Sequence, residues 1–243
     1  MSSLIHPQLP LGFEPGELFT FDSFVAGSNA VAVGIAKQSA LCGHSEADAA
    51  SNKVEGQLYF WGDNGLGKSH LLQACCNLAA KNHRTVCYLT QAEILDQSVV
   101  MFDGLEQVDM ICLDDIDSWL IDDAWETALF NLINNVRENN NCLLMASAHP
   151  PEEAFVKLPD LRSRLAWGPV FHLQELTDKE KYQALHFRAK QNGLELPENV
   201  ADYLMQRYPR DMFGLFERLA VLDKASMAMQ RKLTIPLIKS VFG

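Results

Sequence analysis

The stretch Gly62-Asp63-Asn64-Gly65-Leu66-Gly67-Lys68-Ser69 has the spacing G-x-x-x-x-G-K-[ST] of a phosphate-binding loop. Its chemistry follows from its residue types. The glycines let the backbone wrap closely around phosphates, and the N–H groups of such a loop point inward as an anion nest. Lys68 is expected to reach the β- and γ-phosphates and Ser69 to hold Mg²⁺. Asn64, Leu66 and His70 are expected beside the same nucleotide. The motif carries meaning only between a strand and a helix. Both are predicted here: Gln57–Trp61 is an apolar run that reads as a strand, and residues 70–80 read as a helix.

A second chemical cluster follows. Met110–Leu113 is an apolar run that ends in Asp114 and Asp115, with Asp117 two residues on. A carboxylate at the C-terminal edge of a strand beside a phosphate loop can orient the water shell of Mg²⁺, and a second can position an attacking water. Asp114 directly follows the apolar run and is the expected metal partner; Asp115 is the candidate base. Asp is one methylene shorter than the Glu that many such ATPases use, so weak hydrolysis is expected. An acidic helix N-terminus, favoured by the helix dipole, is the plainer reading of the same residues.

These groups need a scaffold. Residues 85–89, 110–113, 142–146 and 170–173 are further short apolar runs, separated by helical patterns. In residues 122–138 the apolar positions 125, 129, 132, 133 and 136 recur at helical spacing. Strands alternating with helices predict an α/β fold, a mostly parallel sheet covered on both faces. From Thr177 the character changes. Thr177-Asp178-Lys179-Glu180 is a capping box, Pro197 reads as a first-turn proline, and residues 213–229 are periodic. The expected order is an extended segment at 1–18, an α/β nucleotide-binding domain at 19–176, and a small all-helical domain at 177–243.

The 243 residues carry a formal charge of −11. Residues 1–176 hold 9 Lys/Arg against 23 Asp/Glu, whereas residues 177–243 hold 11 against 8. An acidic body argues against sequence-independent DNA binding, which needs a basic surface to displace counterions. No apolar run approaches a membrane span, and the N-terminus has no secretory pattern. The six cysteines form no C-x-x-C pair and read as small core residues of a cytoplasmic protein. The seven histidines show no metal-ligand spacing.

The order of parts resembles the AAA+ ATPases: a phosphate loop, an Asp-Asp strand, a strand ending in Ser147, an arginine at 164, then a helical lid. Within that class it resembles the bacterial initiator DnaA, over about residues 15–243. Residues 19–29 look like the lead-in that packs near the adenine base. Residues 161–168 look like the box carrying an arginine finger, with Arg164 at the finger position and Arg162 the weaker candidate. An arginine finger reaches a neighbour's site and neutralises charge developing on its γ-phosphate. Read without the family, Arg164 is a surface residue paired to Asp160, four positions earlier. The resemblance also implies a sensor arginine in the lid. Phe213 falls at its position, with Arg210 one turn earlier as a substitute. Ser147 falls at sensor I, where related proteins often have an acidic residue; a hydroxyl orients water more weakly.

No helix-turn-helix pattern follows the lid, so origin DNA is not expected as a direct ligand. Instead, Gln8-Leu9-Pro10-Leu11-Gly12-Phe13 resembles the hexapeptide by which bacterial proteins dock on the β sliding clamp of DNA polymerase III. Leu9, Leu11 and Phe13 would enter apolar pockets while Gln8 hydrogen-bonds. A clamp motif joined to a DnaA-like core is the arrangement of the Hda family of DnaA regulators. That resemblance implies a replication inhibitor, bound to ADP or ATP with Mg²⁺, that meets DNA only through the clamp and stimulates ATP hydrolysis by DnaA through Arg164. AAA+ surfaces tend to stack, so a homo-oligomer is compatible with it. An independent ATPase that remodels a partner and a plain clamp-binding adaptor are the rival readings.

Overall fold

The computed structural model describes residues 19–41, 56–95 and 98–243. The hexapeptide at 8–13, the loop at 45–55 and Cys42 lie outside the described residues. Two compact units are present. The first holds the described parts of Asn29–Asp63 and Lys68–Leu173 with residues 19–21; the second holds Gln174–Gly243 with Asp22–Ser28 and Asn64–Gly67.

The first unit is built on a parallel sheet of five strands: β1 (Gln57–Trp61), β2 (Val86–Leu89), β3 (Met110–Leu113), β4 (Cys142–Ser147) and β5 (Val170–His172). Their spatial order is β2-β3-β4-β1-β5. Tyr59 pairs with Met145 on one side and Val170 on the other. Every residue of β3 and β4 is buried, which is why these strands read as continuous apolar runs without alternation. The expected strands stand, with edges moved by one residue. Thr85 lies outside β2 because its N–H and hydroxyl both donate to the Asp109 carboxylate, each at 2.7 Å. Leu173 lies outside β5, although its N–H still donates to Trp61 O at 2.9 Å.

Helices cover this sheet: α1 (Ala30–Leu41), α2 (Lys68–Lys81), α3 (Gln91–Leu95), α4 (Asp123–Glu138) and α5 (Pro159–Leu165). The predicted helix after the phosphate loop begins at Lys68 rather than His70. Asp122 caps α4, accepting the N–H groups of Ala124 and Trp125 at 3.0 Å each. The predicted apolar stripe of α4, with Trp125, Leu129, Leu132, Ile133 and Val136, is buried. Each such side chain contributes roughly 1.5–3 kcal/mol.

The second unit holds α6 (Asp178–Gln191), α7 (Glu198–Arg207), α8 (Met212–Met229) and α9 (Ile235–Phe242). Leu185, Leu204, Leu215, Leu219 and Leu222 fill its core. Pro197 is the N-cap of α7, one position before the first turn where the sequence pattern put it. Its fixed φ of −66 with an extended ψ of 148 suits that half-in position equally well. No helix of the described residues is long and apolar enough to cross a membrane.

The capping box of α6 is complete. The Glu180 carboxylate accepts the N–H and the hydroxyl of Thr177 at 2.7 and 2.8 Å. These two bonds hold the Glu180 carboxyl below its ordinary value. A depressed folded pKa means stability that is present above the unfolded value and lost as pH falls through the folded one. Glu180→Ala is therefore expected to lower the lid's melting temperature at pH 7, with the difference from the unaltered protein shrinking below about pH 4. Melting curves at pH 7, 5 and 3 check this; a pH-independent difference would contradict it.

Candidate functional site

The phosphate loop leaves the C-terminal end of β1, at the point where the strand order reverses between β4 and β5. Open α/β sheets bind ligands at such switch points. Gly62, Gly65 and Gly67 adopt φ of 140, 85 and 92. Those values are open to glycine and strained for other residues, so the glycines of the motif are conformationally required. A Cβ on Gly67 would also lie 3.1 Å from the Phe24 ring. Lys68 is 5% exposed. Its ammonium donates to Gly62 O at 2.7 Å and to Asp63 O at 3.1 Å, curling back along the loop that it closes. His70 ties down the lead-in: one ring nitrogen lies 3.1 Å from Thr20 O, and its ring meets Phe19 edge-on at 5.2 Å.

Asp114 directly follows β3 and is 4% exposed. Its Oδ2 accepts from the Tyr88 hydroxyl at 2.6 Å and its Oδ1 from the Asp115 N–H at 3.1 Å. Trp119 Nε1 donates to its carbonyl at 3.1 Å. Burial beside a carboxylate pushes the Tyr88 phenol far up, which keeps it a proton donor. Asp115 stands at φ 46, ψ 51, in the left-handed region that Asp tolerates better than most residues. Solvent reaches its side chain, yet desolvation raises its pKa; the charge of Asp114 adds to this and that of Lys68 opposes it.

Ser147 is fully buried at the end of β4. Asp117 accepts from its hydroxyl and, at 2.5 Å, from the Ala148 N–H. The Ser147 hydroxyl also lies 2.9 Å from His149 O, which accepts from the Tyr59 hydroxyl at the same distance. The geometry therefore holds this hydroxyl on protein partners, and Asp117 fixes the loop after β4.

Arg164 lies on α5, half-buried, and turns toward α4. Its Nε donates to Asn134 Oδ1 at 3.1 Å. Its guanidinium lies 3.8 Å from the Trp167 ring centroid and 5.4 Å from that of Phe130. Among the described residues it makes no ion pair with Asp160. Glu126, 3% exposed, accepts the N–H groups of Lys157 and Leu158 at 3.0 and 2.8 Å and so anchors the start of α5. Glu126, Phe130 and Asn134 are spaced by four residues, one stripe of α4. Arg162, more exposed, donates to Val156 O at 2.9 Å. In the lid, Arg210 pairs with Asp178 at 2.8 Å and donates to Met205 O at 2.9 Å, while Phe213 is 67% exposed.

These residues fit a nucleotide and Mg²⁺ by their donor chemistry. The loop presents backbone N–H groups and one ammonium to anionic oxygens. Ser69 and Asp114 offer hard oxygen atoms of the kind that Mg²⁺ selects. Among the described residues no three His, Cys, Asp or Glu converge on a metal. Mg²⁺ usually keeps several waters and takes further ligands from substrate phosphates beside one or two protein oxygens.

Residues 16–172 match the bacterial DnaA ATPase domain, and residues 178–242 match the Hda lid domain. The chain belongs to the DnaA-related AAA+ family. A Haemophilus influenzae protein described as uncharacterized is 37% identical over 240 residues, covering 98% of this chain and 100% of that protein. Domain III of the Thermotoga maritima initiator DnaA superposes with a TM-score of 0.81 at 20% identity, covering 95% of this chain and 98% of that one. AMPPCP-bound DnaA of Aquifex aeolicus does so with 0.68 at 22%, covering 90% and 69%. The expected AAA+ parallel sheet and helical lid are thus both present. Against this DnaA-related frame, the residues missed by sequence reasoning are Tyr88, Trp119, Glu126 and Asn134. Tyr88, Glu126 and Asn134 act through contacts 26 to 31 residues away, and Trp119 through one to Asp114 five residues back; no spacing rule announces any of them.

Proposed function

We propose that this protein is a cytoplasmic negative regulator of replication initiation that acts on DnaA. The observation that carries this reading is the pairing, in one chain, of a DnaA ATPase domain with an Hda lid. A nucleotide-bound form docks on the β sliding clamp through Gln8, Leu9, Leu11 and Phe13, and so meets DNA only indirectly. It presents Arg164 to ATP-bound DnaA and speeds hydrolysis there. A DnaA of similar fold holds AMPPCP, an adenine nucleotide analogue, which supports ADP or ATP as the ligand here. Gly62, Asn64, Gly65, Leu66, Gly67, Lys68, Ser69 and His70 are the nucleotide-binding residues in this reading, and Arg210 is the lid's candidate in place of a sensor arginine. Ser69 and Asp114 hold Mg²⁺. Asp115 and Ser147 are the groups nearest to catalysis of the protein's own, slow turnover. The retention of the Ser147 hydroxyl by Asp117 and His149 supports that slowness. Bound nucleotide stabilises the active form by mass action.

The test is ATP hydrolysis by DnaA with DNA-loaded clamp, with and without this protein and its Gln8→Ala variant. Stimulation by the intact protein, falling at least tenfold in the variant, is expected. No stimulation by the intact protein under conditions where it binds nucleotide would defeat the reading. Abundant turnover by the isolated protein would instead establish the independent ATPase, which the intact loop and the Asp114-Asp115 pair favour.

A further inference from the structure

The Asp114 carboxylate is held on both oxygens, by the Tyr88 hydroxyl and by the Asp115 N–H. Tyr88, at 2.6 Å, is the shortest of its contacts. The Tyr88 oxygen in turn accepts from Gln73 Nε2 at 3.1 Å, which leaves its own proton for Asp114. Gln73 lies on α2 one helical turn after Ser69, so both project from the same stripe of that helix. The backbone of Asp114 is fixed as well. Its N–H donates to Leu89 O at 2.9 Å, and its carbonyl takes the Trp119 indole. A carboxylate has about four acceptor positions, and Tyr88 and the Asp115 N–H use two of them. The remaining positions then face one fixed direction, because neither χ angle of Asp114 is free.

We propose that Tyr88, backed by Gln73, is a positioning residue that aims the Asp114 carboxylate at the water shell of a nucleotide-bound Mg²⁺. The proposal rests on the nucleotide reading above and adds a residue that neither the phosphate loop nor the Asp-Asp strand contains. Partners of this kind set the orientation of the ligand they touch, and their removal typically costs about 10–100-fold in metal affinity. Tyr88 touches neither nucleotide nor metal in this arrangement. Its effect is therefore confined to the Mg²⁺-dependent part of binding.

The experiment titrates the protein with a fluorescent ADP analogue in EDTA and across a Mg²⁺ series. Tyr88→Phe keeps the ring and removes only the hydroxyl. It is expected to raise the Mg²⁺ concentration needed for tight nucleotide binding about tenfold, with affinity in EDTA unchanged. Gln73→Leu, which unbacks the phenol, shifts it in the same direction by less. Asp114→Asn removes the Mg²⁺ dependence, and adding Tyr88→Phe to it has no further effect, because coupled groups are non-additive. Two results would overturn the proposal: an unaltered Mg²⁺ dependence in Tyr88→Phe, or equal losses in EDTA and in Mg²⁺, which mark a merely structural role. Failure of the unaltered protein to bind the analogue in either solution would overturn the nucleotide reading itself.

Discussion

Arg164→Ala is expected to reduce stimulation of the DnaA ATPase by about 10³-fold, with a melting temperature within a few degrees of the unaltered protein. The size comes from what a guanidinium does to charge developing on a transferring phosphoryl group, an effect of about 10³–10⁵ in rate. Structural features support this role for Arg164. Its Nε is committed to Asn134, and the face of the guanidinium rests on Trp167. One of its five N–H donors is so used, which in the finger reading leaves the others for a phosphate. Arg137 lies over the same indole at 4.2 Å, so the ring is flanked by cationic groups that hold it in place. The support continues through Glu126, whose buried carboxylate caps the chain entering α5. Arg164→Lys is expected to fall nearly as far, because an ammonium is a point charge without the planar fork. Asn134→Ala, which loosens the aim but keeps the charge, falls less. The measurement is single-turnover hydrolysis of DnaA-bound ATP with loaded clamp present. Full stimulation by Arg164→Ala would end the finger assignment.

Trp119→Ala is expected to destabilise the first unit by about 3–5 kcal/mol, a large part of the roughly 5–15 kcal/mol that holds a domain together. Trp119 is fully buried and meets Phe102 and Trp125 edge-on, each with centroids 5.9 Å apart. Edge-to-face pairs of this kind add to the area that the rings bury. The indole also supplies the donor for the Asp114 carbonyl. Trp119→Phe isolates that bond. It leaves a buried acceptor unsatisfied, at about 1–3 kcal/mol, beside a smaller loss of packing. Urea unfolding followed by circular dichroism reads both as a lowered midpoint with the slope preserved. A midpoint for Trp119→Ala equal to that of the unaltered protein would contradict the packing argument.

The parts of the fold that were legible in the sequence share a physical cause. Strands buried on both faces must be apolar throughout, so β1, β3 and β4 announce themselves. A helix buried on one side must repeat at 3.6 residues, so α4 does too. The α1 sequence AVAVGIAKQSAL is mostly small and apolar, with Lys37, Gln38 and Ser39 consecutive near its end, so no one face stands out. The seven residues of α5 and the eight of α9 are too short to establish a period. The candidate site divides in the same way. Gly62, Gly65, Gly67 and Lys68 are constrained by local backbone geometry, and local geometry leaves a sequence signature. Glu126 is one residue from the buried Trp125 and looks like an ordinary charged position. Its role exists only because the chain returns 31 residues later. Tyr88 likewise reads as one more strand aromatic until Asp114 is brought beside it.

The cysteines that read as small core residues have a consequence beyond packing. Cys75, Cys76, Cys87, Cys112 and Cys142 are buried. Burial pushes Cys87 up to about 12, and Cys75 and Cys112 well above their ordinary value. Only the thiolate attacks an alkylating reagent or an oxidant. While the sheet is closed Cys75, Cys87 and Cys112 are chemically mute: Cys75 and Cys112 gain a voice when α2 lifts from the strands beneath it, and Cys87 when the opposite, α4-side core opens. Each molecule therefore keeps its own record of how often the sheet opens, written in the slow modification of these sulfurs. That record accrues at a rate set by local unfolding rather than by the reactivity of any cysteine.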